Sequence, residues 1–229
     1  MKILAIIPAR SGTKGLPDKN ILDLCGMPLC AYTINAARES GVFSEIHFST
    51  DSQKYADIAK KYGASVPFLR NEELATDTAS SWDVVKFVIK KYAEMHKIFD
   101  AVMLLQPTVP FRSAGDICNA VKLLHQKNAN AIVSVTTPAH PAFWSAELPE
   151  DADMHVFHER LEYLVARQKL PQEYILNGAI YLAKIPYLLS SNDIYEMGCY
   201  AYFMPRERSL DIDSQLDFDM CEFLVREKL

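Results

Sequence analysis

The fold is decided near the start of the chain, by residues 2–20, KILAIIPARSGTKGLPDKN. Residues 2–7 form a short apolar run, which predicts a strand covered on both faces. A loop rich in glycine, proline and charge follows over residues 8–20. A helix is then predicted over residues 28–39, because a proline suits its first turn and a glycine follows its end. Strand, loop and helix in this order predict the first unit of an α/β sheet.

The same alternation continues along the chain and predicts a three-layer α/β fold with a mostly parallel sheet. Further strands are expected at residues 45–49, 66–69, 101–105, 131–135, 177–183 and 198–203. Further helices are expected at residues 52–62, 82–97, 115–127 and 214–229. In such sheets ligands bind beyond the carboxyl ends of the strands. Four loops occupy that position, and they begin at Pro8, Ser49, Arg70 and Gln106.

Length and composition indicate one globular domain, residues 1–229, and argue against several classes of protein. The net charge is −5, which argues against nucleic acid or an anionic membrane as the main partner. No apolar run approaches the roughly 18 residues of a membrane-spanning helix. The five cysteines are scattered and contain no CxxC pair, which predicts free thiols and a cytoplasmic location.

The alternation breaks between residues 137 and 170, where clean periodicity is missing. Structureless loops of this length are uncommon in compact domains. We therefore expect residues 138–172 to form an inserted arm that makes contacts in a dimer. The alternative is an ordinary long loop.

The loop after the first strand has the composition of an anion-binding segment. Arg10, Lys14 and Lys19 bring three cations close together, and Gly12 and Gly15 allow backbone N–H groups to approach an anion. The loop is neither a Walker A loop nor a GxGxxG turn. It predicts polyphosphate binding, with a solvated basic loop as the alternative.

An acidic pair, Asp211 and Asp213, precedes the last predicted helix. In an extended segment, side chains two residues apart face the same side. Paired carboxylate oxygens suit Mg²⁺, which typically also holds water and substrate phosphates. The alternative is an acidic first turn that stabilises the following helix through its dipole.

Three further stretches each allow a functional and a structural interpretation. Gln106 follows an apolar strand and either hydrogen-bonds substrate or caps a proline-rich turn. The small hydroxyl residues 76–81 either cap a helix or line a base or ribose pocket. Asn177 and Tyr181 flank a glycine in a stretch that forms either a sugar-binding wall or a bulged core strand.

Together these motifs resemble the acylneuraminate cytidylyltransferase family, the CMP-sialic acid synthetases. Six stretches occur in the family's order and cover nearly the whole chain: IIPARSGTKGLPDKN, ELATDTASS, LLQPTVPFR, RQKLPQ, NGAIY and SLDID. The resemblance implies a Rossmann-like, GT-A-type nucleotidyltransferase fold with a small dimerisation arm. It also implies a homodimer.

The resemblance assigns site residues by position. Those implied to hold the triphosphate and nucleoside are Arg10, Lys14, Lys19 and Asn20. Those implied to line the cytidine site are Arg70, Ala79 and Ser81. Those implied to face the sugar acid are Gln106, Asn177 and Tyr181, with Arg167 on the arm reaching a partner subunit's site. The metal ligands implied for Mg²⁺ are Asp211 and Asp213.

The implied reaction joins CTP and a nonulosonic acid into a CMP-sugar and releases pyrophosphate. The anomeric hydroxyl would attack the α-phosphate in line, so the protein would mainly position the groups. Mg²⁺, Arg10 and Lys19 would offset the developing negative charge. Asp213, or hydroxide on the metal, would accept the hydroxyl proton.

Two departures from the family pattern bear on the sugar. The family carries a basic residue soon after a His-Pro pair on the arm, whereas His140 and Pro141 are followed by AFW and no basic residue occurs before Arg160. An arginine expected between the LPQ and NGA motifs is also missing. A more apolar arm fits legionaminic or pseudaminic acid, with N-acetylneuraminic acid an equal alternative.

Several rival functions remain open from the sequence. The chain also fits a guanylyltransferase for a nonulosonic acid, because the base pocket cannot be read from sequence. The DxD pair also occurs in metal-dependent glycosyltransferases, although theirs lies mid-chain. A CMP-Kdo synthetase differs in the loop after the central strand, and a non-catalytic nucleotide-binding module would not need both the cationic loop and the acidic pair.

Overall fold

A computed structural model describes residues 1–12, 15–76, 80–161 and 171–227. The main sheet has six strands in the order β4-β1-β5-β7-β6-β8. Its strands are β1 (Ile3–Pro8), β4 (Glu45–Ser49), β5 (Ala101–Leu104), β6 (Ala131–Thr136), β7 (Ile175–Lys184) and β8 (Cys199–Phe203). A two-stranded hairpin consists of β2 (Asp23–Leu24) and β3 (Met27–Pro28).

Seven α-helices surround the sheet in the part of the chain that is described. They are α1 (Leu29–Ser40), α2 (Gln53–Lys61), α3 (Ser81–Glu94), α4 (Ala114–Gln126), α5 (His155–Leu161), α6 (Ile185–Ser190) and α7 (Gln215–Arg226). The helix ends follow local signals. Ser52 caps α2 by accepting a hydrogen bond from the Tyr55 N–H, and Gly41 ends α1 in the left-handed region with φ 64°.

Strand β1 explains the three layers, because alternate residues face opposite sides of the sheet. Ile3, Ala5 and Ile7 pack in one core cluster with α1, α2 and α4. Leu4 and Ile6 pack in a second cluster with α3 and α6. A strand buried on both faces needs apolar residues at every position, so the unbroken apolar run and the three-layer fold have the same cause.

The sheet is mostly parallel, as predicted, but β7 runs antiparallel to both β5 and β6. Parallel pairing brings the carboxyl ends of β1, β4 and β5 to one edge, with Pro8 opposite Ser49 and Ile6 opposite Leu104. Three of the loops singled out from the sequence therefore start side by side.

A third cluster lies under this edge and joins distant parts of the chain. Its fully or nearly fully buried members are Leu16, Leu24, Leu29, Ile212, Phe218 and Cys221. It packs α7 and the segment before it against the first loop and the hairpin. The first loop and the hairpin thus meet the last helix at the same edge of the sheet.

Some sequence predictions were wrong. The strand expected at residues 66–69 is absent, and only an isolated bridge joins Ser65 to His47. The short helix α6 and the hairpin were missed, because neither is long enough to show a periodic pattern. The helix bounds otherwise agree to within a few residues, and the five cysteines are free thiols, as predicted.

The segment at residues 138–172 is described up to residue 161 and from residue 171. Its described part holds a 3₁₀ turn, Ala142–Trp144, and the helix His155–Leu161. Its role in a dimer stays a prediction. Among the described residues, no helix is both long and apolar enough to cross a membrane.

Candidate active site

An open cavity of about 550 Å³ lies at the carboxyl edge of the sheet. Eight residues selected from the sequence line it: Arg10, Lys19, Asn20, Arg70, Ser81, Gln106, Asp211 and Asp213. The structure therefore brings together residues that are up to two hundred positions apart in the chain. Lys14, Ala79 and Arg167, also predicted for the site, lie outside the described residues.

The first loop contributes cations to one wall of the cavity. Arg10 and Lys19 both line it, together with Asn20. Asn20 is only 5% exposed and donates from Nδ2 to the Arg10 carbonyl at 3.3 Å. Asn20 thus also holds the backbone of the loop that carries Arg10.

The acidic pair faces the same cavity because of the residue between its members. Ile212 is completely buried in the cluster beneath the site, and its N–H donates to the Thr108 carbonyl at 2.9 Å. Alternation along an extended segment then turns Asp211 and Asp213 toward the cavity. This confirms the expected common orientation of the two carboxylates.

The cationic and acidic walls touch at one point. Lys19 Nζ lies 2.9 Å from Asp213 Oδ1 and donates to the Ile212 carbonyl at 2.8 Å. The Lys19 side chain is largely buried, whereas that of Asp213 is mostly exposed. Asp213 therefore keeps oxygen lone pairs directed to the open cavity.

The pKa of Asp211 is raised, mainly because the surrounding protein removes water from its carboxylate and also because Asp213 adds a like charge. A hydrogen bond from Thr108 acts in the opposite direction. Two carboxylates with residual repulsion in an open cavity fit a hard divalent cation such as Mg²⁺. Among the described residues, no group of three or more His, Cys, Asp and Glu side chains could hold a metal on its own. Further ligands would have to come from water or substrate.

Arg70 forms a buried part of the cavity lining. Its guanidinium donates to the Ser49 carbonyl at 2.7 Å and to the Leu74 carbonyl at 3.1 Å. Burial lowers the pKa of Arg70 to about 10, with Asp51 acting to raise it and Arg10 to lower it. Ser81, the first residue of α3, lines the cavity nearby.

Gln106 faces Gly178 at close range. Gly178 has φ +71°, and a Cβ added to it would lie 2.6 Å from Gln106 Oε1 and 3.6 Å from Asp211 Oδ2. The glycine therefore serves two needs, the left-handed backbone and the space for the Gln106 side chain. The side chains of Gln106 and Asp211 both approach the backbone at Gly178.

A fully buried arginine fixes the loop that carries Gln106. Arg112 Nη1 donates to the Gln106 carbonyl at 3.2 Å and to the Ala179 carbonyl at 2.9 Å. Its Nη2 donates to Thr33 Oγ1 at 2.6 Å. Burial lowers the pKa of Arg112 to about 9. The side chain thus joins the loop after β5 to β7 and to α1.

Two predicted sugar contacts do not line this cavity. Asn177 is 5% exposed, accepts a hydrogen bond from Ser134 Oγ at 2.6 Å and donates to Ser209 Oγ at 2.9 Å. Tyr181 is half-buried and its ring meets Trp82 edge-on, with centroids 5.8 Å apart. The structure places Asn177 as an internal link between β6, β7 and the segment before Asp211.

That segment has a second anchor. Arg208 donates from Nε and Nη2 to the two carboxylate oxygens of Asp116, at 2.8 and 2.9 Å. Burial alone would raise the pKa of Asp116, but the hydrogen bonds from Arg208, Ser113 and Tyr202 hold it below its ordinary value. This bidentate pair ties the start of the acidic segment to the first turn of α4.

Sequence reasoning missed several residues of the site. Thr108 and Arg112 stand in the LLQPTVPFR motif, yet their partners lie in other segments. Gly178 enters the sequence analysis only as part of NGAIY. A glycine inside a strand pattern can indicate that another group approaches the backbone closely, and here that group is the Gln106 side chain. Val84 also lines the cavity and has no distinctive sequence pattern, whereas Thr76, which lines it too, belongs to the hydroxyl stretch 76–81 that allowed a pocket as one interpretation.

Comparisons with known proteins agree with this geometry. A family model described as cytidylyltransferase matches residues 4–222. The chain is 40% identical over 228 residues to N-acylneuraminate cytidylyltransferase of Escherichia coli O18:K1:H7, which covers 99% of this chain and 53% of that protein. It is 38% identical over 226 residues to CMP-N,N'-diacetyllegionaminic acid synthase of Legionella pneumophila, covering 98% and 97%. The chain thus spans about half the length of the first relative and nearly all of the second.

A solved structure shares the fold. CMP:2-keto-3-deoxy-manno-octonic acid synthetase, complexed with CTP, matches with a TM-score of 0.74 at 14% identity and 100% coverage of both chains. At this identity the likeness concerns the fold alone. The fold class predicted from the sequence is confirmed, and so is the resemblance drawn from its motifs. The chain belongs to the cytidylyltransferase family.

Proposed function

We propose that this protein transfers CMP from CTP to the anomeric hydroxyl of a nonulosonic acid and releases pyrophosphate. One observation carries the proposal: two cations of the first loop and the Asp211–Asp213 pair line the same cavity. A triphosphate needs cations around its oxygens, and phosphoryl chemistry needs a place for a divalent ion. The relatives named for this transfer match almost the whole chain.

The position of each residue in the cavity suggests its role. Arg10 and Lys19 face the cavity and would bind phosphate oxygens, offsetting the negative charge that develops as pyrophosphate leaves. Arg70 and Ser81, which also line the cavity, would border the nucleoside. Gln106, beside Asp211, would orient the sugar acid so that its hydroxyl meets the α-phosphate in line.

Mg²⁺ is proposed at Asp211 and Asp213, where it would neutralise phosphate charge when bound. The two carboxylates face the cavity together and supply only oxygen ligands, which suits this ion. Asp213 is also proposed to accept the proton of the sugar hydroxyl, because its side chain is exposed to the cavity. Lys19 holds one of its oxygens and leaves the other available.

The sugar is proposed to be N-acetylneuraminic acid or a legionaminic or pseudaminic relative. The two relatives are named for an acylneuraminate and for a diacetyllegionaminate. The apolar residues after His140 and Pro141 favour a less hydroxylated acid. The homodimer, the role of the arm and the cytoplasmic location remain predictions.

The test is pyrophosphate release in the presence of Mg²⁺. CTP, GTP, UTP and ATP are crossed with N-acetylneuraminic, legionaminic, pseudaminic and Kdo acids. Release with CTP and one nonulosonic acid is the expected result. Release with GTP instead would support the guanylyltransferase alternative. Folded protein that binds CTP but releases no pyrophosphate with any acid would contradict the proposal.

A further inference from the structure

The end of β4 forms a junction that the proposed function does not use. The Ser49 carbonyl accepts hydrogen bonds from the Ala9 N–H at 2.8 Å and from the Arg70 guanidinium at 2.7 Å. The Thr50 carbonyl accepts from the Arg70 N–H at 2.8 Å. The first loop and Arg70, both of which contribute to the cavity, are therefore held by the same short stretch of backbone.

Asp51 completes this junction through its side chain. Its Oδ1 accepts from the Ser11 N–H at 2.8 Å, and its Oδ2 accepts from Ser11 Oγ at 2.6 Å. Both carboxylate oxygens are thus engaged by one residue of the first loop. Ser11 directly follows Arg10 and precedes Gly12, which has φ +65°. Because the backbone at Gly12 is flexible, a fixed contact at Ser11 is needed to hold the part of the loop that carries Arg10.

We propose that Asp51 is a positioning residue, which holds the first loop through Ser11 so that Arg10 faces the nucleotide phosphates. The inference rests on the proposed function, since it assumes that the cavity binds CTP. Hydrogen bonds to a carboxylate are stronger than neutral ones, and two of them fix both the position and the direction of the loop.

The charge of Asp51 has a second consequence for the cavity. Burial would raise the pKa of Asp51, but the two hydrogen bonds from Ser11 and the nearby Arg70 hold it below its ordinary value. Asp51 therefore stays ionised at neutral pH and places a negative charge near the cationic walls. If this charge acted only by repelling phosphate, its removal would strengthen CTP binding. Positioning makes the opposite prediction.

The experiment measures CTP affinity by calorimetry without the sugar acid, in wild type, D51A, D51N, S11A and the double variant S11A/D51A. We expect D51A to weaken CTP binding about tenfold, corresponding to one lost charge-assisted contact. D51N should recover part of the loss, because its amide oxygen still accepts from the Ser11 N–H. The double variant should bind CTP as D51A does, since both changes break the same link.

The control is S52A, which removes the cap of α2 one residue further on. It should lower thermal stability and leave CTP affinity unchanged.

CTP binding by D51A that equals or exceeds that of wild type overturns the proposal. So does an additive loss in the double variant, because Asp51 would then act independently of Ser11. Should D51A not fold, S11A and D51N decide the same question. Wild type that binds CTP but releases no pyrophosphate refutes the proposed function and leaves this test readable.

Discussion

Lys19 Nζ lies 2.9 Å from Asp213 Oδ1, so an ion pair links the loop after β1 to the segment before α7. The Asp213 side chain is 79% exposed, and the pair on its own adds little to stability. The ion pair instead fixes the positions of a cation and a carboxylate at the cavity. Lys19 is also held by the Ile212 carbonyl, so we expect it to keep its place when Asp213 is changed.

The first prediction concerns D213N. We expect turnover to fall about 100-fold, since a carboxylate that accepts a proton or holds a metal is lost. The Mg²⁺ concentration for half-maximal rate should rise, whereas CTP affinity measured without Mg²⁺ should stay within about twofold, because the variant removes no contact assigned to CTP. Pyrophosphate release against Mg²⁺ concentration measures both. D219N is the matched control, because Asp219 is exposed on α7 and accepts a hydrogen bond from Gln215. Full turnover and normal Mg²⁺ dependence in D213N would rule out both roles.

The second prediction concerns G178A. An alanine there keeps φ +71° at a cost of about 1 kcal/mol, and its methyl group displaces Gln106. Because the displaced group is the end of a flexible side chain, the fold should tolerate the change. The KM for the sugar acid should rise about tenfold, a loss of about 1.4 kcal/mol, with CTP affinity unaffected.

G41A provides the control for backbone strain. Gly41 has φ +64°, and a Cβ added to it meets no atom within 4 Å. Both variants should therefore lose similar unfolding free energy in urea, and only G178A should lose affinity for the sugar acid. An unchanged KM in G178A would show that the sugar does not depend on Gln106.

Much of the fold follows from signals that are local in sequence. The apolar run of β1 and the glycine after α1 depend on neighbouring residues alone, so they can be read directly. The direction of β7 cannot, because an apolar strand pattern is the same for parallel and antiparallel pairing. The apolar stretch at residues 66–69 predicts a strand, yet the structure forms none there, and the ring of Phe68 packs against His47.

The site divides in the same way. The acidic pair and the cationic loop are recognisable because each is a compact motif. Asn177 shows the limit, because its partners Ser134 and Ser209 lie 43 and 32 residues away. A polar residue in a strand gives no sign of whether it faces a ligand or closes an internal network.

The third prediction therefore tests the role of Asn177. N177A removes the hydrogen bonds that join Asn177 to Ser134 and Ser209, whose hydroxyls keep their bonds to the backbone of other residues. We expect a loss of about 2–3 kcal/mol in unfolding free energy. If Asn177 positions the acidic segment, kcat should fall while the KM for the sugar acid stays constant. A raised KM with unchanged stability would instead restore the direct sugar contact suggested by the sequence. N130A is a control, since Asn130 Nδ2 bonds the Met197 carbonyl away from the cavity.

The fourth prediction concerns stability in acid. His47 is completely buried, and burial, followed by the charge of Arg70, lowers its pKa to about 3 from 6.5. The unfolded chain binds a proton at His47 below pH 6.5 and the folded protein does not. His47 thus contributes stability above pH 6.5 that is lost as the pH falls from 6.5 toward 3. Between pH 7 and 5 the loss should be about 2 kcal/mol.

Urea unfolding of wild type and H47Q at pH 7 and at pH 5 isolates this contribution. The two proteins differ at residue 47 alone, so the contributions of all other groups cancel in the comparison, and Asp116, whose pKa is held below its ordinary value, stays ionised over this range. H47Q starts from a lower stability, because glutamine loses the ring contacts with Phe68 and Tyr92, but its stability should change less with pH. Equal losses in the two proteins would mean that His47 is protonated in the folded state, and that its burial next to Arg70 does not keep it neutral.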